Sequence, residues 1–81
     1  MIADFEGILS MPILQELDLS LNKIERIQKA KWPKLKMLNL SNNKVRIIEN
    51  LENCRALEVL DLSFNEVMKI KHLSAGTNVN F

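Results

Sequence analysis

Eighty-one residues with a formal charge of +1 make one small domain with a thin core and exert no global pull on nucleic acid or anionic lipid. No apolar run approaches the ~20 residues that cross a bilayer, and Asp4 and Glu6 argue against a signal peptide, so no membrane insertion is expected. The lone Cys54 cannot form an internal disulfide, which favours a reducing setting: cytoplasmic, with the nucleus as the other compartment open to the chain.

In chain order, residues 1–13 read as a partial repeat, with Ile8, Phe5 and Ile2 in register with the full copies downstream. The first full copy, residues 14–34, opens as Leu14-x-x-Leu17-x-Leu19-x-x-Asn22-x-Ile24-x-x-Ile27. The second, residues 35–56, opens as Leu35-x-x-Leu38-x-Leu40-x-x-Asn43-x-Val45-x-x-Ile48. The third, residues 57–78, opens as Leu57-x-x-Leu60-x-Leu62-x-x-Asn65-x-Val67-x-x-Ile70, and residues 79–81 start a truncated copy with Val79 at its first leucine site. Self-similarity at 21 and 22 residues predicts stacked coils that each touch only their neighbours.

Within a copy, Leu60-Asp61-Leu62 alternates apolar and polar, as in a half-buried strand whose two leucines face one side. A helix through Leu14, Leu17, Leu21 and Ile24 is rejected because Leu19 would leave its apolar stripe. Asn22, Asn43 and Asn65 follow the strands between apolar positions. An amide buried there without partners would cost about 1–3 kcal/mol. Its donors and acceptor suit it to close a bend and tie one coil to the next, so these three are read as the structural Asn turn.

This pattern resembles the leucine-rich repeat family, in its short 22-residue intracellular type similar to protein phosphatase 1 regulatory subunit repeats. In that type an Ile-x-x-Ile-x-x-Leu half follows the Asn, here Val45-x-x-Ile48-x-x-Leu51 and Val67-x-x-Ile70-x-x-Leu73. The first copy departs from it: Ile24-x-x-Ile27-x-x-Ala30 ends on a small residue and is one residue shorter, so a local adjustment near Trp32-Pro33 is expected. The resemblance implies an α/β-type solenoid with short parallel strands on a concave face and 3-10 or irregular turns on a convex one. It also implies a protein-binding scaffold without a cofactor. A phosphatase is one candidate partner, but the same subtype occurs in ciliary dynein light chains, membrane-traffic adaptors and a spliceosomal subunit, so the partner stays open.

No amphipathic capping helix is legible at either end, and each core leucine left wet forfeits about 1.5–3 kcal/mol. A segment of a longer adaptor or regulatory protein is therefore expected. The alternative is a self-contained mini-solenoid capped by Met1–Leu9 and His72–Phe81.

If the strand leucines face inward, their neighbours form the partner surface: Glu16, Met37 and Val59 in one row, then Asp18, Asn39 and Asp61, then Ser20, Ser41 and Ser63, with Leu21, Asn42 and Phe64 beside the Asn turns. Solvated polar rows need no function, whereas Leu21, Met37, Val59 and Phe64 are apolar residues rimmed by polar ones, a partner-site signal. A competing surface is electrostatic. Eight of the eleven basic residues lie between Lys23 and Arg46, opposed there by Glu25 alone, with Trp32 inside the stretch. Such a patch could hold RNA or a ribonucleoprotein, the indole stacking on a base; a solvated convex face with Trp32 folded inward is the plainer reading. No enzyme is expected: His72 and Cys54 have no partner at a suggestive spacing, Asp18 and Asp61 are separated by Asn39, and Gly7 and Gly76 make no phosphate loop. No metal-ligand cluster is legible either, and Asn39-Leu40-Ser41 reads as a chance sequon in a strand.

Overall fold

In the computed structural model, which describes residues 13–29, 31–71 and 77–81, four three-residue strands lie side by side. They are β1 (Glu16–Asp18), β2 (Met37–Asn39), β4 (Val59–Asp61) and β6 (Asn78–Asn80), all parallel, in the order β1-β2-β4-β6. Behind them, β3 (Ile47–Ile48) pairs in parallel with β5 (Lys69–Ile70). The strands are parallel because each coil returns the chain to the same edge before the next strand begins. The readings placed on Ile2, Phe5, Ile8, Ala30, His72 and Leu73 lie outside the described residues.

Register follows the motif through the first three strands. Leu17 stands opposite Leu38, and Leu38 opposite Leu60. The alternation then sends every second side chain inward, so Leu19, Leu40 and Leu62 form one buried ladder and Leu38 and Leu60 another. Past the turns, Ile24 stacks with Val45 and Ile27 with Ile48, all fully or almost fully buried. Leu17 is only half-buried at the outer strand β1 and packs against this core with Leu14, Val67 and Val79. Fully burying each such side chain is worth about 1.5–3 kcal/mol.

Two details differ from the sequence reading. Val79 pairs with Leu60, the second leucine of its coil, instead of standing level with Leu57. The polar-apolar-polar order Asn78-Val79-Asn80 matches Val59-Leu60-Asp61 in its central apolar residue, and facing Val79 inward outweighs keeping a constant period. Asn78 N donates to Glu58 O (2.8 Å), Leu62 N to Asn80 O (2.6 Å) and Thr77 Oγ1 to Leu57 O (3.0 Å), which holds that register. The second difference is the β3–β5 pair, where turns alone were expected. Extended backbone on both coils lets Met68 N reach Arg46 O (2.7 Å) and Lys71 N reach Ile48 O (2.6 Å).

The two inner strands, β2 and β4, are each bonded on both sides, β4 gaining its second neighbour in β6. Leu19 N donates to Asn39 O and Leu40 N to Asp61 O, each at 2.8 Å. Hydrogen exchange should therefore be slow at both Leu38–Leu40 and Leu60–Leu62 and faster at the outer strands β1 and β6, because opening an inner strand requires separating two neighbours. Uniform protection across all four strands would contradict this order.

Candidate functional site

The residues expected from the sequence to form a partner surface lie on the outward face of the four-stranded sheet and in the turns that end its strands. Glu16, Met37 and Val59 stand in register across β1, β2 and β4, and Asp18, Asn39 and Asp61 form the next row. Glu16, Asp18, Met37 and Val59 are exposed, while Asn39 and Asp61 are half-buried. Asn39 separates the two aspartates, which lie two strand spacings or about 10 Å apart. They do not form a shared carboxylate pair.

The serine row orients the row of acids. Asp18 Oδ1 accepts from Ser20 N (2.9 Å) and Ser20 Oγ (2.6 Å). These bonds hold the Asp18 carboxyl below the usual carboxylate range, the hydroxyl contributing most. Asp61 Oδ1 accepts from Ser63 N (3.0 Å) and from the Ser63 hydroxyl. In the middle coil an amide does the same work, Asn39 Oδ1 accepting from Ser41 N at 2.9 Å.

At the end of each strand comes the turn asparagine. Asn43 is buried, 7% exposed. Its Nδ2 donates to Leu19 O (2.9 Å), Leu40 O (3.0 Å) and Ser41 O (3.2 Å), and its Oδ1 accepts from Ile24 N (3.0 Å). Asn65 repeats the set one coil on, donating to Leu40, Leu62 and Ser63 carbonyls and accepting from Val45 N at 2.9 Å. Asn22 Nδ2 donates to Leu19 O (2.8 Å) and Ser20 O (3.0 Å). A further tie escaped the sequence reading: Asn50 Nδ2 donates to Ile27 O at 2.8 Å across the return segments. The equivalent positions of the other coils are not Asn, so no periodic signal marked it.

Just before each turn asparagine the backbone crosses into the left-handed region. Leu21 has φ 57°, Asn42 57° and Phe64 58°. Asparagine tolerates this conformation by local hydrogen bonding, whereas a side chain such as Leu or Phe costs about 1–2 kcal/mol there. Leu21 and Phe64 are nevertheless 66% and 79% exposed, with Asn42 between them. Of the three, only Asn42 is a residue type that signals this conformation; Leu21 and Phe64 carry no such signal.

The basic stretch distributes differently. Lys23, Arg26, Lys29, Lys31, Lys34, Lys36, Lys44 and Arg46 lie outside the core, but neighbouring coils bring acids among them. Lys29 Nζ lies 3.5 Å from Glu52 and Arg46 Nε 3.7 Å from Glu66. A groove of about 460 Å³ on the return side is lined by Glu25, Arg26, Lys44, Arg46, Glu49 and Glu66, bases and acids in equal number. Trp32 is fully buried at 0% exposure, so its indole offers no stacking plate. The plainer reading, Trp32 folded inward at the shortened first coil, is the one the structure has, and the competing stacking role for the indole is corrected. Cys54 occupies the matching place one coil later: Leu35 N donates to Trp32 O and Leu57 N to Cys54 O, both at 3.2 Å. Cys54 is buried, and burial, with Glu52 nearby, pushes its thiol above the ordinary value. Among the described residues no group of three or more His, Cys, Asp or Glu side chains could hold a metal. No helix among them is long and apolar enough to cross a membrane.

Parallel strands in register, ladders of inward leucines and asparagines bridging successive coils define a solenoid-like repeat protein. The family described as Leucine Rich repeats (2 copies) matches residues 33–75, and a second, Leucine Rich repeat, matches residues 10–25. The chain belongs to the leucine-rich repeat family. It is 41% identical over 73 residues to a Roc-COR-CHAT protease from an unknown prokaryotic organism, an alignment that takes in 90% of this chain and 7% of that protein. The chain thus spans about 7% of the length of the curated relative it matches. No solved structure matches it.

Proposed function

We propose that the chain is a non-catalytic protein-binding segment of an intracellular scaffold, and that the outward sheet face is the concave face that meets the partner. Leucine-rich repeats generally mediate contact between proteins, and the observation that supports this placement is the pair Leu21 and Phe64. Both are large, apolar and solvent-exposed, at the same point of their coils, in a backbone conformation that favours a smaller polar residue. Strained, exposed apolar positions are retained where a surface is used. Met37 and Val59 extend the apolar contact along the strands, with Glu16, Asp18, Asn39 and Asp61 beside them. The repeat boundaries at residues 14–34, 35–56 and 57–78 belong to the same reading. So does membership of a longer protein, in which this segment supplies recognition while catalysis of the kind named in the relative resides elsewhere. A phosphatase remains one candidate partner.

Phe64→Asn tests the assignment because it separates folding from binding. Asn fits the left-handed backbone, so the variant should gain about 1 kcal/mol of stability in urea. Partner capture should fall at least tenfold. A variant that is stabilised and still captures the partner fully would remove Phe64 from the interface.

A further inference from the structure

We propose that the occupant of this face is an extended polypeptide segment in which lysine or arginine recurs beside apolar side chains. The inference rests on the protein-binding reading above and names the partner's chemistry. The eight outward positions of the four strands carry Glu16, Asp18 and Asp61 and no Lys or Arg. Their sign is opposite to that of the chain as a whole, which is +1. The charge of the sheet is therefore segregated from the basic stretch. Complementary charge steers encounter and rejects partners of the wrong sign, so a polyanion is disfavoured on this face and a cationic segment favoured.

Spacing narrows the choice further. Asp18 and Asp61 are two strands apart, as are Leu21 and Phe64, which gives about 10 Å in each pair. An extended polyproline-type chain crossing the strands advances ~9 Å in three residues and returns the same side of the chain to the sheet. Basic residues three apart, interleaved with apolar ones three apart, would meet both rows. The four strand axes span only about 14 Å, a small fraction of what the 20–30 residues a side of an ordinary stable interface require. A footprint of that size suits a short segment better than a folded domain.

The test uses the whole chain and three labelled ~12-residue peptides read by fluorescence anisotropy at ~50 mM salt. The first places Lys at every third position among Leu and Phe, the second replaces Lys by Glu, and the third keeps Lys and replaces the apolar residues by Ser. The first should bind, and should weaken about tenfold in Asp18→Asn/Asp61→Asn, in Phe64→Asn, and on raising salt to ~300 mM. The Asp→Asn changes preserve the fold, since Asn39 already accepts from Ser41 N as Asp18 and Asp61 do from their serines. Equal binding of the Glu peptide, still lost in Phe64→Asn, would overturn the cationic assignment and leave the protein-binding face standing. Equal binding of the Ser peptide, insensitive to Phe64→Asn, would overturn the apolar half of the assignment. Binding of none of the three, or self-association of the chain that disappears in the Asp→Asn variant, would overturn the occupant altogether.

Discussion

Asn43→Ala should remove about 3–5 kcal/mol of stability, measured by urea unfolding of the whole chain. The change strips a buried site of one acceptor and two donors. Ile24 N, which donates to Asn43 Oδ1 inside the coil, is left without its partner. An unsatisfied buried N–H costs about 1–3 kcal/mol, and the lost bonds to the carbonyls of Leu19, Leu40 and Ser41 add about 0.5–1.5 kcal/mol each. A domain of this length is stable by only about 4–12 kcal/mol at the usual value per residue, so the variant should sit close to unfolding. Asn65 makes the same bonds at a half-buried position, where water can replace some of them; Asn65→Ala should cost about half as much. Asn43→Asp is the informative control. It keeps an acceptor for Ile24 N but cannot donate to the three carbonyls, and it buries a charge against them. It should be at least as damaging as alanine at neutral pH. Loss of less than ~0.5 kcal/mol in Asn43→Ala would mean that the asparagine does not tie the coils together.

The second large effect belongs to Trp32. Trp32→Ala should cost about 3–5 kcal/mol, the usual range for emptying a fully buried aromatic site. Its cavity would open in the interior of the first coil, where the side chain is wholly shielded from solvent. Cys54→Ala, at the matching place one coil on, removes far less volume and should cost about 1 kcal/mol. Wild-type tryptophan emission should be blue-shifted, resistant to aqueous quenchers, and unchanged when RNA is added. Ready quenching in the folded protein, or a mild Trp32→Ala, would return the indole to the surface and revive the stacking role.

Much of this architecture could be read from the chain because its cause is local and repeated. Alternation in Leu38-Asn39-Leu40 and Leu60-Asp61-Leu62 dictates an inward face, and three aligned asparagines between apolar residues leave few places for their amides except backbone. Val79 shows where periodicity stopped informing. The repeat length put it level with Leu57, but pairing obeys the facing of side chains, and a polar-apolar-polar triplet slid to the position where Val79 packs beside Leu60. The β3–β5 pair was illegible for a related reason: whether two extended returns hydrogen-bond depends on how closely the coils stack, which no single coil encodes.

The candidate surface divides in the same way. Strand parity alone assigns Met37 and Val59 to the side of the acids, whereas Leu21 and Phe64, which share the parity of the inward leucines, were placed by their position beside the Asn turns. The positive φ of Leu21 and Phe64 emerged only with the fold, since it arises from closing each coil onto its neighbour, as when Leu21 N reaches Ser41 O at 3.1 Å. The basic run from Lys23 to Arg46 looked like one patch in linear order. Stacking placed Glu52 beside Lys29 and Glu66 beside Arg46, about one repeat away along the chain. Sequence by itself determined the repeat, its inward leucines and its turn asparagines, because these depend on neighbours a few residues apart. Tertiary structure alone decided the charge pattern, the β3–β5 pair and the left-handed backbone at Leu21 and Phe64, because each depends on which coil lies alongside.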